Sequence, residues 1–339
     1  MKSNCDQDSQ LSKKIVQWYI KNGRSNLPWR KNVTAYRVWI SEIMLQQTQV
    51  KTVIPFFKKF IGKYPNLKSL STATEEEILA LWTGLGFYRR AINIFKAKEI
   101  ISNDFKNRFP KSFDDIVKLP GIGDSTAGAI MSIAYQIPYP ILDANVKRVI
   151  SRYESVDNNA THKSNKKLWD LSNKHTPSKN IFSYTQGIMD LGATICHSSK
   201  PNCCICPLQE DCKSAFKVQA SKKETKKQNP TKKINYVLAR SNDSFLLFKK
   251  LEESFWEGLW TPLELDSYHP FPWKDGIETQ EEITIKHKLS HLNLDIKIKI
   301  YSFEKAFKVK TNKKYKWVNI SNIDKYGMPK PIKSIIEKL

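Results

Sequence analysis

The 339-residue chain reads as a mostly α-helical domain followed by a smaller mixed α/β domain, and three observations predict that order. Helical periodicity of apolar residues runs from about Leu11 to Phe216. Lys222 to Lys233 then holds six lysines with Glu224, Gln228, Asn229 and Pro230, and has almost nothing to bury. Beyond it the apolar residues alternate as in strands, most clearly in Leu294-Asp-Ile-Lys-Ile-Lys-Ile300. The expected divisions are a helical domain over residues 1–220, a charged linker over 221–233 and a second domain over 234–339. A chain of this length supports two hydrophobic cores.

Each element has its own signal. Ala35 to Gln46 carries Tyr36, Trp39, Ile40, Ile43 and Met44 at helical spacing. Thr74-x-x-Glu77 is a capping-box pattern ahead of Ile78, Leu79, Leu81 and Trp82. Ser112-x-x-Asp115 opens a short helix before Leu119-Pro120, and Gly84, Gly86, Gly121 and Gly123 punctuate the joins. In the second domain Tyr236–Leu238 and Phe245–Phe248 read as further strands. Ile332 to Leu339 reads as a closing amphipathic helix, and no internal repeat is found.

Charge narrows the function classes. Fifty-six Lys+Arg against 33 Asp+Glu leave a formal net charge of +23, a field that attracts polyanions. No apolar run reaches the roughly 18 residues of a membrane-spanning helix. Met1 to Gln10 lacks the apolar stretch of a secretory signal. The expected location is the cytoplasm, at the nucleoid. In that reducing compartment the six cysteines read as metal ligands or free thiols before disulfides.

Three constellations carry chemistry. Cys196, Cys203, Cys206 and Cys212 follow C-x6-C-x2-C-x5-C, a spacing that suits one soft metal centre, zinc or a [4Fe–4S] cluster. Only one close C-x2-C pair is present, where a zinc ribbon usually has two, so the spacing leans towards iron–sulfur. Cys204 and Cys5 fall outside the pattern. Leu119-Pro-Gly-Ile-Gly-Asp-Ser-Thr-Ala127 joins two helices through a turn whose glycines, Gly121 and Gly123, let backbone N–H groups approach a phosphate. A plain helix–helix turn is the competing reading. Glu42 sits on an otherwise apolar helix, where burial would raise its pKa and suit it to general-acid work. Asp143, ahead of a helical stretch starting near Val146, reads as a helix N-cap or as a functional carboxylate. One protonated and one ionised carboxyl are what cleavage of a glycosidic bond through an oxocarbenium-like transition state needs.

Together these residues resemble the helix-hairpin-helix base-excision glycosylases of the endonuclease III superfamily. Leu27-Pro-Trp-Arg30, Ser41-Glu-Ile-Met-Leu-Gln-Gln-Thr-Gln49, Leu81-Trp-Thr-Gly-Leu-Gly86 and Ile141-Leu-Asp-Ala-Asn-Val-Lys147 closely match the MutY-type adenine glycosylases within it. The resemblance spans about residues 11–216, and a weaker continuation is similar to the family's Nudix-like, 8-oxoguanine-recognising domain. It implies that Glu42 protonates adenine at N7 and then positions water, while Asp143 stabilises the cation forming at C1′. It further implies that Gln47 wedges into the space left by the flipped base and that Arg24, Leu27, Trp29 and Gln186 line the base pocket. Cys196, Cys203, Cys206 and Cys212 would hold one [4Fe–4S] cluster, and the substrate would be double-stranded DNA with adenine opposite 8-oxoguanine or guanine. The enzyme is expected to act as a monomer. Mismatch-repair or replication proteins are compatible partners that the sequence does not specify.

Several positions depart from the family pattern. Phe87 stands where the lesion-stacking residue is usually Tyr, Ala144 where Gly is usual, and Leu289-Ser290-His291 replaces Phe-Ser-His. Ser290 and His291 keep the polar pair, on a turn between Ile283–Leu289 and Leu294–Ile300. Glu278 to Glu282 lacks the Nudix hydrolase pattern, so the second domain is expected to read and not to catalyse. Ser125 stands where strand-cutting relatives carry a Schiff-base lysine, which implies a monofunctional enzyme with water as final nucleophile. Lys147, one turn beyond Asp143, is the amine nearest in sequence for adventitious trapping. Two rival readings remain: a bifunctional endonuclease III-like enzyme on oxidised pyrimidines, and a non-catalytic, redox-sensing DNA-binding protein.

Overall fold

Local sequence decides where the helices begin. Thr34, Thr74, Ser112, Asp143 and Thr161 each offer a side-chain oxygen to an N–H of the first turn, satisfying a donor the helix cannot. Thr74 and Glu77 form the full reciprocal capping box. The protein, a computed structural model, is described for residues 8–157, 161–217, 229–250, 255–265, 277–290, 292–309 and 314–339, with the backbone alone for 277–281.

In chain order the first helices are α1 (Gln10–Asn22), α2 (Ala35–Leu45), α3 (Val50–Lys63), α4 (Leu67–Ser71) and α5 (Glu75–Trp82). Then come α6 (Arg89–Phe105), α7 (Phe113–Val117), α8 (Asp124–Ala134), α9 (Ala144–Glu154), α10 (His162–His175) and α11 (Ile181–Thr194). The strands are β1 (Thr231–Ser241), β2 (Ser244–Lys249), β3 (Trp260–Thr261), β4 (Leu263–Glu264), β5 (Ile277–Lys288), β6 (Asn293–Ser302) and β7 (Tyr315–Asn319). Helix α12 (Lys330–Ile336) follows. It starts two residues before the expected Ile332 because Pro331 suits a first turn, and it stops short of Leu339. Strand β1 opens at Thr231, so the last three residues of the expected linker are strand. Among the described residues no helix is long and apolar enough to cross a membrane.

The chain divides into two compact units, Met1–Thr72 with Lys96–Glu224, and Ala73–Phe95 with Thr225–Leu339. In the first, α2 packs on α8, and α11 packs on α1 and α9. The core of α2 is Tyr36, Val38, Trp39, Ile40, Ile43 and Met44, as its periodicity predicts.

The second unit is a seven-stranded sheet in the order β3-β2-β1-β6-β5, with β4 on β1 and β7 on β2. Strands β1 and β6 are parallel, and the other pairs are antiparallel. The alternation of β6 is as expected: Leu294, Ile296, Ile298 and Ile300 are buried, while Lys297 and Lys299 face solvent. This unit also takes in residues 73–95, so α5 and the loop after it group with the sheet. Helical periodicity cannot announce that grouping, because an apolar helix face looks the same whichever partner covers it.

Candidate active site

Glu42 lies on α2 beside the buried Ser41, Ile43 and Met44 and keeps part of its surface open to solvent. Burial raises its carboxyl to about 7; the charge of Asp143 adds to the rise and Arg30 opposes it. Among the described residues no hydrogen bond reaches that carboxyl. A group in this state holds a proton near neutrality and can release it to a base.

Asp143 is the N-cap of α9, so the capping role is real. Its Oδ1 accepts the Val146 N–H at 2.8 Å, and its Oδ2 accepts from Asn145 Nδ2 at 3.4 Å. Burial is the largest influence and leaves its pKa raised, although these bonds and the Arg148 charge pull against it. Its seat is built from several directions. Ser125 Oγ accepts the N–H of Leu142, the residue before Asp143, at 3.0 Å. A side chain at Gly128 would strike the carbonyl of Pro140, and one at Gly192 would lie 2.6 Å from Asn145 Cβ. Only glycine lets α8 and α11 close on this segment. Arg148 donates to Asn145 Oδ1 (2.9 Å), the Gly192 carbonyl (2.5 Å) and the Cys196 carbonyl (2.6 Å). Lys147 lies on the same face of α9 as Asp143, one turn on, with its N–H bonded to the Asp143 carbonyl at 2.8 Å.

A third carboxyl, Asp190, carries no signal in the sequence. Asp190 on α11 is fully buried and accepts from Arg24 Nε (2.8 Å) and from Arg30 Nη1 (2.7 Å) and Nη2 (2.8 Å). Burial alone would raise Asp190, but the hydrogen bonds and charge of Arg30 and Arg24 outweigh it and hold the carboxyl below its ordinary value. The guanidinium of Arg24 is thus held by Asp190 through Nε and Nη2, and the side chain stays partly exposed. Leu27, Trp29 and Gln186 are buried, and Trp29 packs edge-on against Phe57 at 5.5 Å.

The hairpin between α7 and α8 buries Leu119 and Ile122 and leaves Gly121 and Gly123 exposed. Gly121 takes φ +83°, Gly123 caps α8, and Gln46 Nε2 donates to the Gly121 carbonyl at 3.4 Å. Gln47 is exposed with φ +56°, a backbone state that is costly for a side chain of its kind and that recurs at functional positions.

Cys196, Cys203, Cys206 and Cys212 line one pocket together with Arg152 and Leu208. Cys206 is pushed up to about 11, first by burial and then by the charges of Cys196, Cys212 and Cys203, a crowd of thiols without enough counter-charge. Arg152 Nη1 stands 3.3 Å from Cys196 Sγ and also donates to the His197 carbonyl at 2.6 Å. Among the described residues no three His, Cys, Asp or Glu groups gather closely enough to hold a single ion.

In the second unit Phe87 is exposed, with φ +50°. Ser290 lies exposed in the β5–β6 turn, whose Leu289 N–H bonds the Leu292 carbonyl at 2.8 Å. Asn229 braces the turn: its Nδ2 donates to the Ser290 carbonyl at 3.2 Å, and its own carbonyl accepts from Asn293 Nδ2 at 3.0 Å. The sequence marked Asn229 only as part of a linker. His291 lies outside the described residues.

Residues 40–174 match the HhH-GPD superfamily of base excision DNA repair proteins, and residues 235–338 match a NUDIX domain. A thermostable thymine-DNA glycosylase is similar in structure, with TM-score 0.56 and 28% identity, covering 61% of this chain and 95% of that one. Endonuclease III in a non-covalent DNA complex shares the fold, with TM-score 0.52 and 21% identity over 61% of this chain and 94% of that one. Hairpin, helical fold and family match define a helix-hairpin-helix base-excision repair protein. The adenine DNA glycosylase of Buchnera aphidicola (subspecies Acyrthosiphon pisum, strain APS) is 42% identical over 340 residues, 96% of this chain and 97% of that protein. That of Arabidopsis thaliana is 31% identical over 290 residues, 73% of this chain and 46% of its own length. The chain belongs to the adenine DNA glycosylases, enzymes that hydrolyse an N-glycosidic bond in base excision repair.

Proposed function

We propose that the enzyme excises adenine opposite 8-oxoguanine or guanine as a monofunctional glycosylase, with Glu42 and Asp143 as its two catalytic carboxyls. The observation that carries this is their difference in hydrogen bonding: Glu42 accepts none among the described residues and holds its proton up to about pH 7, while Asp143, also raised by burial, accepts the Val146 N–H, a bond that favours its charged form. Glu42 protonates N7 of the extruded adenine, the C1′–N9 bond breaks with its electron pair going to the base, and neutral adenine leaves. Asp143 opposes the positive charge on the sugar. Glu42, now a carboxylate, takes a proton from the water that adds to C1′, which restores the starting state.

Ser125 has no amine to form an imine, and its hydroxyl is engaged with Leu142. Gly121 and Gly123 grip a phosphate, Gln47 fills the vacated stack, and Arg24, Leu27, Trp29 and Gln186 line the base pocket. Cys196, Cys203, Cys206 and Cys212, which line one pocket, would hold one [4Fe–4S] cluster. A bound cluster would supply the positive charge that those thiolates lack. Phe87, Ser290 and His291 read the opposite base, so residues 234–339 form a lesion-recognition domain after a helical domain over 1–220.

One assay tests this reading: a duplex with adenine opposite 8-oxoguanine, incubated with pure enzyme and analysed with and without hot alkali. Excision with strand breakage only after alkali is expected. Breakage without alkali, or borohydride trapping at the level of a true lyase, supports the bifunctional reading instead. No base release at all would leave only the DNA-binding reading.

A further inference from the structure

The loop that carries Phe87 is built into the sheet unit, and its ties run to one short segment near the C-terminus. Gly84, Gly86 and Phe87 take φ +97°, +79° and +50°, which turns the chain sharply and leaves the Phe87 ring exposed. Gly has no Cβ to hinder such angles, but an aromatic residue at positive φ persists only where its surroundings over-determine it. Two internal ties contribute: Trp82 Nε1 and Arg90 Nη2 both donate to the Gly86 carbonyl at 3.1 Å. The Arg90 guanidinium lies 5.3 Å from the Phe87 ring centroid and 5.5 Å from that of Trp82.

The remaining ties reach the buried Met328. The Tyr88 hydroxyl donates to the Met328 carbonyl at 3.0 Å and accepts the Gly84 N–H at 3.2 Å. Thr83 Oγ1 accepts the Met328 N–H at 3.4 Å. Both backbone polar groups of Met328 are thereby spent on the two ends of the loop. The neighbouring contacts keep that segment fixed. The Gly327 carbonyl accepts the Trp260 N–H at 2.9 Å, and a side chain at Gly327 would lie 2.6 Å from Leu79 Cβ. Trp260 Nε1 donates to Glu76 at 2.5 Å, and Lys249 pairs with Glu75 at 3.2 Å, so α5 is bound to the sheet along its first turn.

We infer that Tyr88 is a positioning residue for recognition of the opposite base: through its hydroxyl, the Gly327–Met328 segment sets the backbone that presents Phe87. This rests on the proposal above that Phe87 contacts the base opposite adenine. The C-terminal region then acts twice on discrimination, once through the Ser290 turn and once through a loop that precedes it by some two hundred residues of chain. Tyr88 itself touches no DNA in this account.

The test uses full-length protein and single-turnover excision of adenine opposite 8-oxoguanine and opposite guanine, corrected for active fraction, with melting temperature recorded. Tyr88→Phe deletes both hydroxyl bonds and keeps the ring. It should lower the ratio of the two rates roughly three- to tenfold, the worth of one or two hydrogen bonds, while the rate opposite guanine stays near wild type. General loss of stability lowers both rates together and leaves the ratio alone. In a Phe87→Ala background, Tyr88→Phe should cost nothing further, since it acts through that ring. Thr83→Val, which removes the other Met328 bond, should shift the ratio the same way if Tyr88→Phe folds poorly. An unchanged ratio in Tyr88→Phe with a reduced one in Phe87→Ala overturns the inference alone, as do losses that add in the double variant. An unchanged ratio in Phe87→Ala overturns the recognition role of Phe87 and the inference with it.

Discussion

Glu42, partly open to solvent, and Asp190, fully buried, are two carboxyls in the same compact unit, both within the field of Arg30, and they are driven in opposite directions. Asp190 accepts hydrogen bonds from two arginines and is held below the ordinary carboxylate range. Glu42 receives none among the described residues and rises to about 7. Desolvation acts on both in the same direction, so the partners decide the sign: arginine hydrogen bonds and charge at Asp190, none of those bonds and the Asp143 charge at Glu42. The protein has made one carboxyl a fixed structural anion and left the other as an acid, and the cost of that choice falls on stability.

The largest effect expected from this contrast is on chemistry. Glu42→Gln cannot deliver a proton and should lower single-turnover excision about 10²–10⁴-fold, the usual worth of general acid catalysis, with duplex binding retained. Asp143→Asn should be nearly as damaging, because the forming cation loses its counter-charge. Wild-type rates in either variant remove that residue from the mechanism. Asp190→Asn should act on stability, since it strands Arg30 and Arg24 in the interior. A loss of about 3–5 kcal/mol in denaturant unfolding is expected, and a loss under 1 kcal/mol would erase the contrast.

These two carboxyls also divide what was legible in the sequence from what was not. Glu42 and Asp143 stand inside contiguous motifs, on a helix and at a helix start that periodicity and capping rules both foresee. Asp190 meets Arg30 across 160 residues of chain, and no local pattern links them. The same limit hid the grouping of α5 with the sheet and the bracing of the Ser290 turn by Asn229. Strand β6 was readable because strict alternation admits one register, whereas the linker's end was not, because Lys232 and Lys233 look alike in coil and in an exposed strand.

Smaller effects sharpen the comparison. Glu42 has a folded pKa above its ordinary 4.5, so its contribution to stability is intact below that pH and is lost as pH rises through about 7. Glu42→Gln should therefore be more stable than wild type by about 1–3 kcal/mol near pH 8, with the difference shrinking as pH falls and gone below the ordinary carboxyl value of 4.5. Asp190 has the opposite sign: its contribution is present above the ordinary carboxylate range and is lost as pH falls through its depressed value. Ser125→Ala should cost least, roughly 0.5–1.5 kcal/mol for the bond to Leu142, with less than a tenfold fall in excision.

The pH dependence of single-turnover adenine excision, measured on the wild-type enzyme under saturating conditions, tests the central claim most directly. If protonated Glu42 delivers the proton to adenine, the rate should be level in mild acid and fall as pH rises past about 7, approaching tenfold per unit. A rate that stays level or increases from about pH 6 to 9 would mean that the proton comes from elsewhere, and that the raised carboxyl of Glu42 has no part in breaking the glycosidic bond.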